Sequence, residues 1–598
     1  MADLSRRAFM ATTAALAGAF ALPQGLLGSA LAAPSRPSRA LSTLQQTIMQ
    51  AAHGADGYRK LLTTGGEPYV PRFDLLGKTA DAGRLGRQRS LLYVGHASDV
   101  HIVDAQAPAR LEPVQQVAAE LLTDCTRPQE TLTVNVLAAM IKAMAELKHS
   151  PLTGAPLSAI LNTGDNADSK SSLELRWYID MFDGGSVTPN SGSSGVYEGV
   201  QLWEGTSYAW HPDDPANDVW GSKHGFPRVP GLLTAAVSQE VESVGAPAPW
   251  YSVFGNHDIV YAGFLRLDPS MSAYSVGDRK AAEFDGLATW MFDGLASGAS
   301  QFQRLANTIA TNFGFRRGTK TVTPDASREI FDPVDFMEAH FETEAFPGPV
   351  GHGFTQDNLD SGETWWAADI SPFVRVFGLD TCNKVCGADG SMTKPQFDWL
   401  EEELAATVEE GKLAIVMSHH NSLTMENPAQ PTAGPSVPLV DIDDFIAMLH
   451  RYPNMIAWLN GHTHTNTILA HPDGNGHGFW EVTTASCIDF PQQQQMVEIV
   501  DNQDGTMSIF TTVVDHASAA SWTEGDLSQY GLASLSRELA SNSFLSKPMM
   551  RRGSPLDRNT ELLMKSPIDL SKITNEQLAR QRATDQARLV KWETERAS

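Results

Sequence analysis

Five times along this chain of 598 residues, a run rich in Val, Ile, Leu and aromatic residues stops at a short polar motif. The runs are LLYVGHAS, LSAILNT, WYSVF, KLAIVMS and NMIAWLN. The motifs are Asp99-x-His101, Gly164-Asp165-Asn166-Ala167-Asp168, Gly255-Asn256-His257-Asp258, His419-His420 and Gly461-His462-Thr463-His464. Runs of this length and composition read as buried strands. The polar residues then stand just past strand ends, the edge at which open α/β sheets bind ligands. This pattern points to an α/β architecture in which five loops carrying Asp, His and Asn converge on one point.

That inventory suits divalent metal ions. Imidazole and carboxylate match borderline metals such as Zn, Fe and Mn, and no thiolate occurs in the motifs. If the strands continue through the motifs, alternate residues share a face, so Asp99 and His101 would address one ion, as would His462 and His464. Gly164, Gly255 and Gly461 permit tight turns and close backbone approach. Each motif also has a plainer explanation. Asp99 and Asp165 could cap helices, Asn256 and His257 could serve a turn, and His419 could be a hydrogen-bonded core histidine. One shared site accounts for all five together.

The ordered set resembles the calcineurin-like metallophosphoesterase family, whose blocks run Asp-x-His, Gly-Asp-x-x-Asp, Gly-Asn-His-Asp/Glu, a lone His and Gly-His-x-His. Gln396-Phe397-Asp398-Trp399-Leu400, followed by Glu401 to Leu404, is similar to the family's Gln-Leu-x-Trp-Leu helix. The resemblance covers roughly residues 90 to 515. It implies a four-layer αββα sandwich with two central mixed sheets and a centre of two divalent metal ions (Mn, Fe or Zn). Asp99, His101 and His464 would hold one ion and Asn256, His419 and His462 the other, with Asp165 bridging. His257 would protonate the leaving group or stabilise the transition state, with Asp258 orienting it, and Asp168 would act outside the ligand set. Of the two adjacent histidines, His419 matches the family position, leaving His420 to face the substrate.

The implied activity is hydrolysis of phosphate esters. Paired ions ~3.5–4 Å apart lower the pKa of a bound water and clamp the phosphate oxygens. The hydroxide attacks in line, and much of the catalysis is charge neutralisation, with His257 supplying the leaving group's proton. The second and third blocks resemble the branch acting on cyclic nucleotides and glycerophosphodiesters, which favours diesters. Purple acid phosphatases carry Tyr where Asp168 stands. Two alternatives are a phosphomonoesterase or nucleotidase of the same fold, and a metal-bearing binding protein without turnover. No ligand position is missing, which favours the enzyme.

The chain begins with Ser5-Arg6-Arg7-Ala8-Phe9, an apolar stretch to Leu22, and small residues at Ala30 and Ala32. This looks like a twin-arginine export signal over residues 1–32, too short for a membrane span. No cysteine precedes Cys125, so no lipid anchor is expected. The expected location is periplasmic or extracellular, with the twin-arginine machinery as partner and no stable membrane anchor. The net charge of −26 argues against a nucleic-acid surface, and a small phosphate ester is the expected substrate. Cys382 and Cys386 could pair, or remain thiols, in an oxidising compartment.

The expected organisation is an N-terminal extension of helix and loop over 33–89, the catalytic domain over 90–515, and a largely helical tail over 516–598. Insertions near 169–249 and 259–373 would be either a cap over the centre or packing around it. The first is rich in rings, including Trp177, Trp203, Trp210 and Trp220, and the second contains Arg316-Arg317. Asp504-Gly505 marks a hairpin between two late strands.

Overall fold

The computed structural model describes residues 42–54, 56–115, 125–214, 218–264, 269–283, 318–343, 346–384, 387–427, 437–474 and 477–596. The export signal, Arg316-Arg317 and Cys386 lie outside the described residues. Thirteen strands build two mixed sheets: β1 (Val70–Arg72), β2 (Arg89–Ala97), β3 (Ala159–Asn162), β4 (Trp250–Ser252), β5 (Trp366–Ser371), β6 (Val374–Gly378), β7 (Leu413–Met417), β8 (Met455–Asn460), β9 (Thr467–Pro472), β10 (Gly478–Thr483), β11 (Gln493–Asp501), β12 (Thr506–Asp515) and β13 (Thr560–Lys565). The seven-stranded sheet has the order β1-β13-β12-β11-β2-β3-β4, and the six-stranded sheet β5-β6-β7-β8-β10-β9. The fold is therefore mixed α/β.

Within the first sheet, β2, β3 and β4 run parallel. Within the second, β6, β7, β8 and β10 do the same. Parallel strands share a carboxyl edge, and all five sequence motifs follow such ends: those of β2, β3, β4, β7 and β8. Within each sheet the motif loops therefore leave from one edge.

The period of two within strands explains how the sheets pack. In β7, Leu413, Ile415 and Met417 join a core shared with Leu92 and Val94 of β2, Ile160 of β3 and Ile499 of β11. The alternate Ala414 and Val416 instead join Leu400 and Leu404 of one helix and Phe445 and Leu449 of another. Those helices span Lys394–Glu409 and Ile442–His450. The first is the helix expected around Gln396. Gln396 accepts from Asp380 N at 2.8 Å and donates to Asp380 O at 2.9 Å, bracing the chain just beyond β6.

Two flanking segments differ from expectation. The N-terminal extension carries strands besides its short 3-10 helix at Ala82–Gly86: a hairpin of Gln46–Gln50 with Leu61–Gly65, then β1. The tail contributes β13, hydrogen-bonded between β12 and β1 inside the seven-stranded sheet, before its final helix at Asn575–Arg596. A short apolar run such as LLM suits either state, and the open edge of β12 makes the strand worth more. The Asp504-Gly505 turn joins β11 and β12 as expected.

Part of the ring-rich insertion packs against the C-terminal segment. Trp210, Trp220 and Phe226 form a buried cluster with Leu532, Leu535 and Leu539 of the helix Gln529–Ser541. Cys382 is a buried free thiol. No helix among the described residues is long and apolar enough to cross a membrane.

Candidate metal centre

Strand β2 ends at Ala97 and β8 at Asn460, so Asp99, His101, His462 and His464 lie beyond their strands. The expected alternation along a continuing strand is therefore not what unites each pair. Instead Asp99, His101, Asp165, His462 and His464 all hold positive φ, between 47° and 68°. Such a backbone costs a non-glycine residue roughly 1–2 kcal/mol, and its clustering at one locus marks a site held in place by its surroundings. The hold is visible. Asp99 N donates to Gly164 O and His101 N to Asp165 O, each at 2.9 Å. Both carboxylate oxygens of Asp99 accept from His462 N, at 3.1 and 3.0 Å.

Two glycines make these approaches possible. A Cβ on Gly255 would stand 2.1 Å from Asp165 Oδ1, and one on Gly461 would stand 1.9 Å from Ser98 Oγ and 2.2 Å from Asp99 Oδ2. Any side chain at either position would push a carboxylate out of the centre.

The converging atoms form two overlapping sets. In the first, His464 Nε2 lies 3.2 Å from Asp99 Oδ1 and 3.1 Å from His101 Nε2, and His101 Nε2 lies 3.4 Å from Asp165 Oδ2. In the second, Asn256 Oδ1 lies 2.9 Å from His419 Nε2 and 3.0 Å from His462 Nδ1, and His419 Nε2 lies 3.1 Å from Asp165 Oδ2. Asp165 Oδ2 faces both sets. Its Oδ1 accepts from His257 N at 2.8 Å. The seven side chains predicted as ligands are therefore all present in one cluster.

The outward ring nitrogens are already committed. His101 Nδ1 faces Asp168 Oδ1 at 3.1 Å, His419 Nδ1 faces Thr163 O at 2.9 Å, and His464 Nδ1 faces Asp489 Oδ2 at 2.7 Å. A nitrogen that donates outward leaves the lone pair of its Nε2 pointing inward, the arrangement typical of metal-binding histidine. Asn256 Nδ2 donates to Gly263 O at 2.9 Å, which turns its Oδ1 to the centre. Inward lone pairs 3.1–3.2 Å apart beside two buried carboxylates require positive charge among them. The donor set thus fits divalent cations, and in their absence protons take the role. Burial disfavours the charged rings of His419 and His464. The carboxylates outweigh it, Asp165 and Asp99 at His419 and Asp99 and Asp489 at His464, so both pKa values are pushed up to about 9.

His257 stands beside the first set, its ring edge-on to His101 with centroids 4.5 Å apart. Its Nδ1 donates to the backbone carbonyl of Asp168 at 2.6 Å. This corrects the role expected for Asp258. The Asp258 carboxylate accepts from the backbone N–H groups of Gly255, Asn166 and Ala167 at 2.9–3.2 Å and so ties two motif loops together. Burial, then repulsion from Asp165, pushes its pKa up to about 6. His420 also differs from expectation. It is fully buried, its ring nitrogens facing Thr381 Oγ1 at 3.0 Å and Ala388 O at 2.9 Å, which leaves neither aimed at a substrate.

Four functional candidates escape a reading of the sequence. Arg110 donates to Asp168 Oδ2 at 2.7 Å and Glu130 at 3.1 Å, anchoring the acceptor of His101. Asp489 accepts from His464 and Arg127, and pairs with Arg551. Asp489 follows β10, a sixth parallel strand end. Arg110 and Arg127 occupy loops and Arg551 a short 3-10 helix, none with a sequence signal.

No family model matches this chain, and no curated protein does. Among solved structures it is similar to a dimetal phosphatase from Danio rerio, at 10% identity and TM-score 0.31 over 72% of this chain and 100% of that one. It is also similar to the calcineurin-like phosphoesterase YfkN from Bacillus subtilis, at 9% identity and TM-score 0.24 over 76% of this chain and 99% of that one.

Proposed function

We propose that the protein is a phosphoesterase with a dinuclear metal centre, a member of the calcineurin-like family acting on phosphodiesters in preference to monoesters. The observation that carries this reading is the single oxygen of Asp165, 3.4 Å from a nitrogen of one donor set and 3.1 Å from a nitrogen of the other. A site for one ion has no use for an acceptor shared between two sets. Core residues alternating between the facing sheet and the helices beyond support the four-layer arrangement.

On this reading Asp99, His101, Asp165 and His464 would hold one ion, and Asn256, His419, His462 and Asp165 the other. Bound ions would supply an activated water and charge neutralisation for the phosphate oxygens. The protein's own residues do the rest. Asp99 and Asp165, buried and ionised, would set two negative charges against the positive charge of the bound ions. Asp168 keeps His101 in its ligating tautomer. His257, its Nδ1 proton tied to the Asp168 carbonyl, would hold a proton at Nε2 for the departing oxygen.

The test is hydrolysis of bis-p-nitrophenyl phosphate against p-nitrophenyl phosphate after reconstitution with Mn. Turnover of the diester at the higher kcat/KM is expected. Hydrolysis of neither, by protein that holds Mn, would leave the non-catalytic alternative standing. Export by the twin-arginine route is part of the proposal and rests on Ser5-Arg6-Arg7-Ala8-Phe9. Changing Arg6 and Arg7 to Lys is expected to trap the precursor inside the cell, and normal export of that variant would refute it.

A further inference from the structure

We infer that Asp489, gripped by Arg127 on one side and by Arg551 of the C-terminal segment on the other, is a positioning residue that fixes His464 in its metal-ligating tautomer. The inference rests on the dinuclear reading above. His464 Nδ1 has two charged neighbours with opposite demands. Asp489 Oδ2 at 2.7 Å accepts a proton from Nδ1 and so leaves the lone pair on Nε2, facing Asp99 and His101. Arg551 Nη1, 3.0 Å from the same Nδ1, can only donate. Acting alone it would draw the lone pair to Nδ1 and put the proton on Nε2, where a cation belongs.

The geometry settles this competition through Asp489. Arg551 Nη1 also donates to Asp489 Oδ2, and Arg127 Nε donates to Oδ1 at 3.0 Å. The carboxylate therefore turns the arginine's proton toward itself and accepts the imidazole N–H as well. Arg551 lies in the short helix Pro548–Arg552, far beyond the last motif in sequence. The C-terminal segment thus reaches into the metal centre.

The experiment is Mn titration of the full-length protein, read by the EPR signal of free Mn, with the melting temperature of each variant recorded. Asp489→Ala should weaken binding of one of the two ions by ~10–100-fold, the usual effect of losing a ligand's outer partner. Asp489→Asn keeps an oxygen for Nδ1–H and nearly the same shape, so its affinity should fall between Asp489→Ala and wild type. Adding Arg551→Met to Asp489→Ala removes the competing donor and should recover part of the loss, which a merely structural role for Asp489 would not predict. Two ions bound with wild-type affinity by both single variants would overturn the inference, as would a double variant with no recovery. His464→Ala separates the two readings. If it too keeps both ions at wild-type affinity, the dinuclear centre itself is wrong, whereas loss there with none in the Asp489 variants condemns only the clamp.

Discussion

The two oxygens of Asp165 have different work. Oδ1 takes the backbone N–H of His257, and Oδ2 faces His101 and His419. Asp165→Asn keeps the shape and removes the charge between two cations. It is expected to lose at least one ion and nearly all activity. His257 stands outside the two donor sets, its Nδ1 committed to Asp168 O, so His257→Ala should keep metal content at the wild-type level while the rate falls by ~10²–10⁴. The fall should be smaller for p-nitrophenyl esters, whose leaving group hardly needs a proton. Metal analysis beside rates on activated and unactivated diesters checks both, and equal slowing of the two substrates would remove His257 from the proton's path. A pH prediction follows from the same cluster. In the metal-free protein His419 and His464 hold their protons up to about 9. Below that pH each must release a proton before offering Nε2 to a metal, so Mn affinity should rise with pH through 7 and 8 and level off near 9. Calorimetry in buffers of different ionisation enthalpy should show the proton release, and a flat affinity from pH 7 to 9 would count against it. At this scale the ligand residues were legible in the sequence because their types and spacing are chemical. The left-handed backbone of Asp99, His101 and His464 was not, since these are ordinary side chains whose strain is imposed by contacts remote in the chain, such as Asp99 N with Gly164 O and His101 N with Asp165 O.

At the scale of elements, the apolar runs announced five carboxyl edges correctly and hid a sixth. WEVTTASCIDF reads as one strand because Thr and Ala are tolerated there, yet β10 stops at Thr483. Beyond it Thr484 N turns to Asn460 O and Cys487 N to Asp99 O, and the chain delivers Asp489 to the centre. The edge rule that located the other loops would have located this one had its end been visible. The loops themselves are fitted closely. Gly461→Ala sets a methyl group against Ser98 and Asp99, so the loop after β8 must retreat, taking His462 and His464 with it. It is expected to lose metal as well as activity. Gly65, in the N-terminal hairpin, has nothing within 4 Å of its would-be Cβ. Gly65→Ala serves as control and should match wild type in metal content, and a Gly461→Ala protein with both ions bound would show the loops to be more yielding than their packing implies.

On the scale of the whole molecule, the motifs suggest a catalytic unit complete by residue 515, and the packing argues for a larger one. Removal of everything after Asp515 would take away β13, which separates β12 from β1. The long strand β12 would then present an open row of backbone donors and acceptors, a template for association with other chains. The same cut strips Leu532, Leu535 and Leu539 from the ring cluster around Trp210 and Trp220, exposing apolar surface. It also removes Arg551 from beside Asp489. These losses fall on the sheet, the insertion and the metal centre together, because one C-terminal segment crosses all three. A chain cut after Asp515 should therefore form aggregates in sedimentation velocity and hold no Mn after dialysis. A monodisperse shortened chain that binds two ions would mean that the segment is an accessory, and that the five motif loops with their two sheets suffice to build the centre.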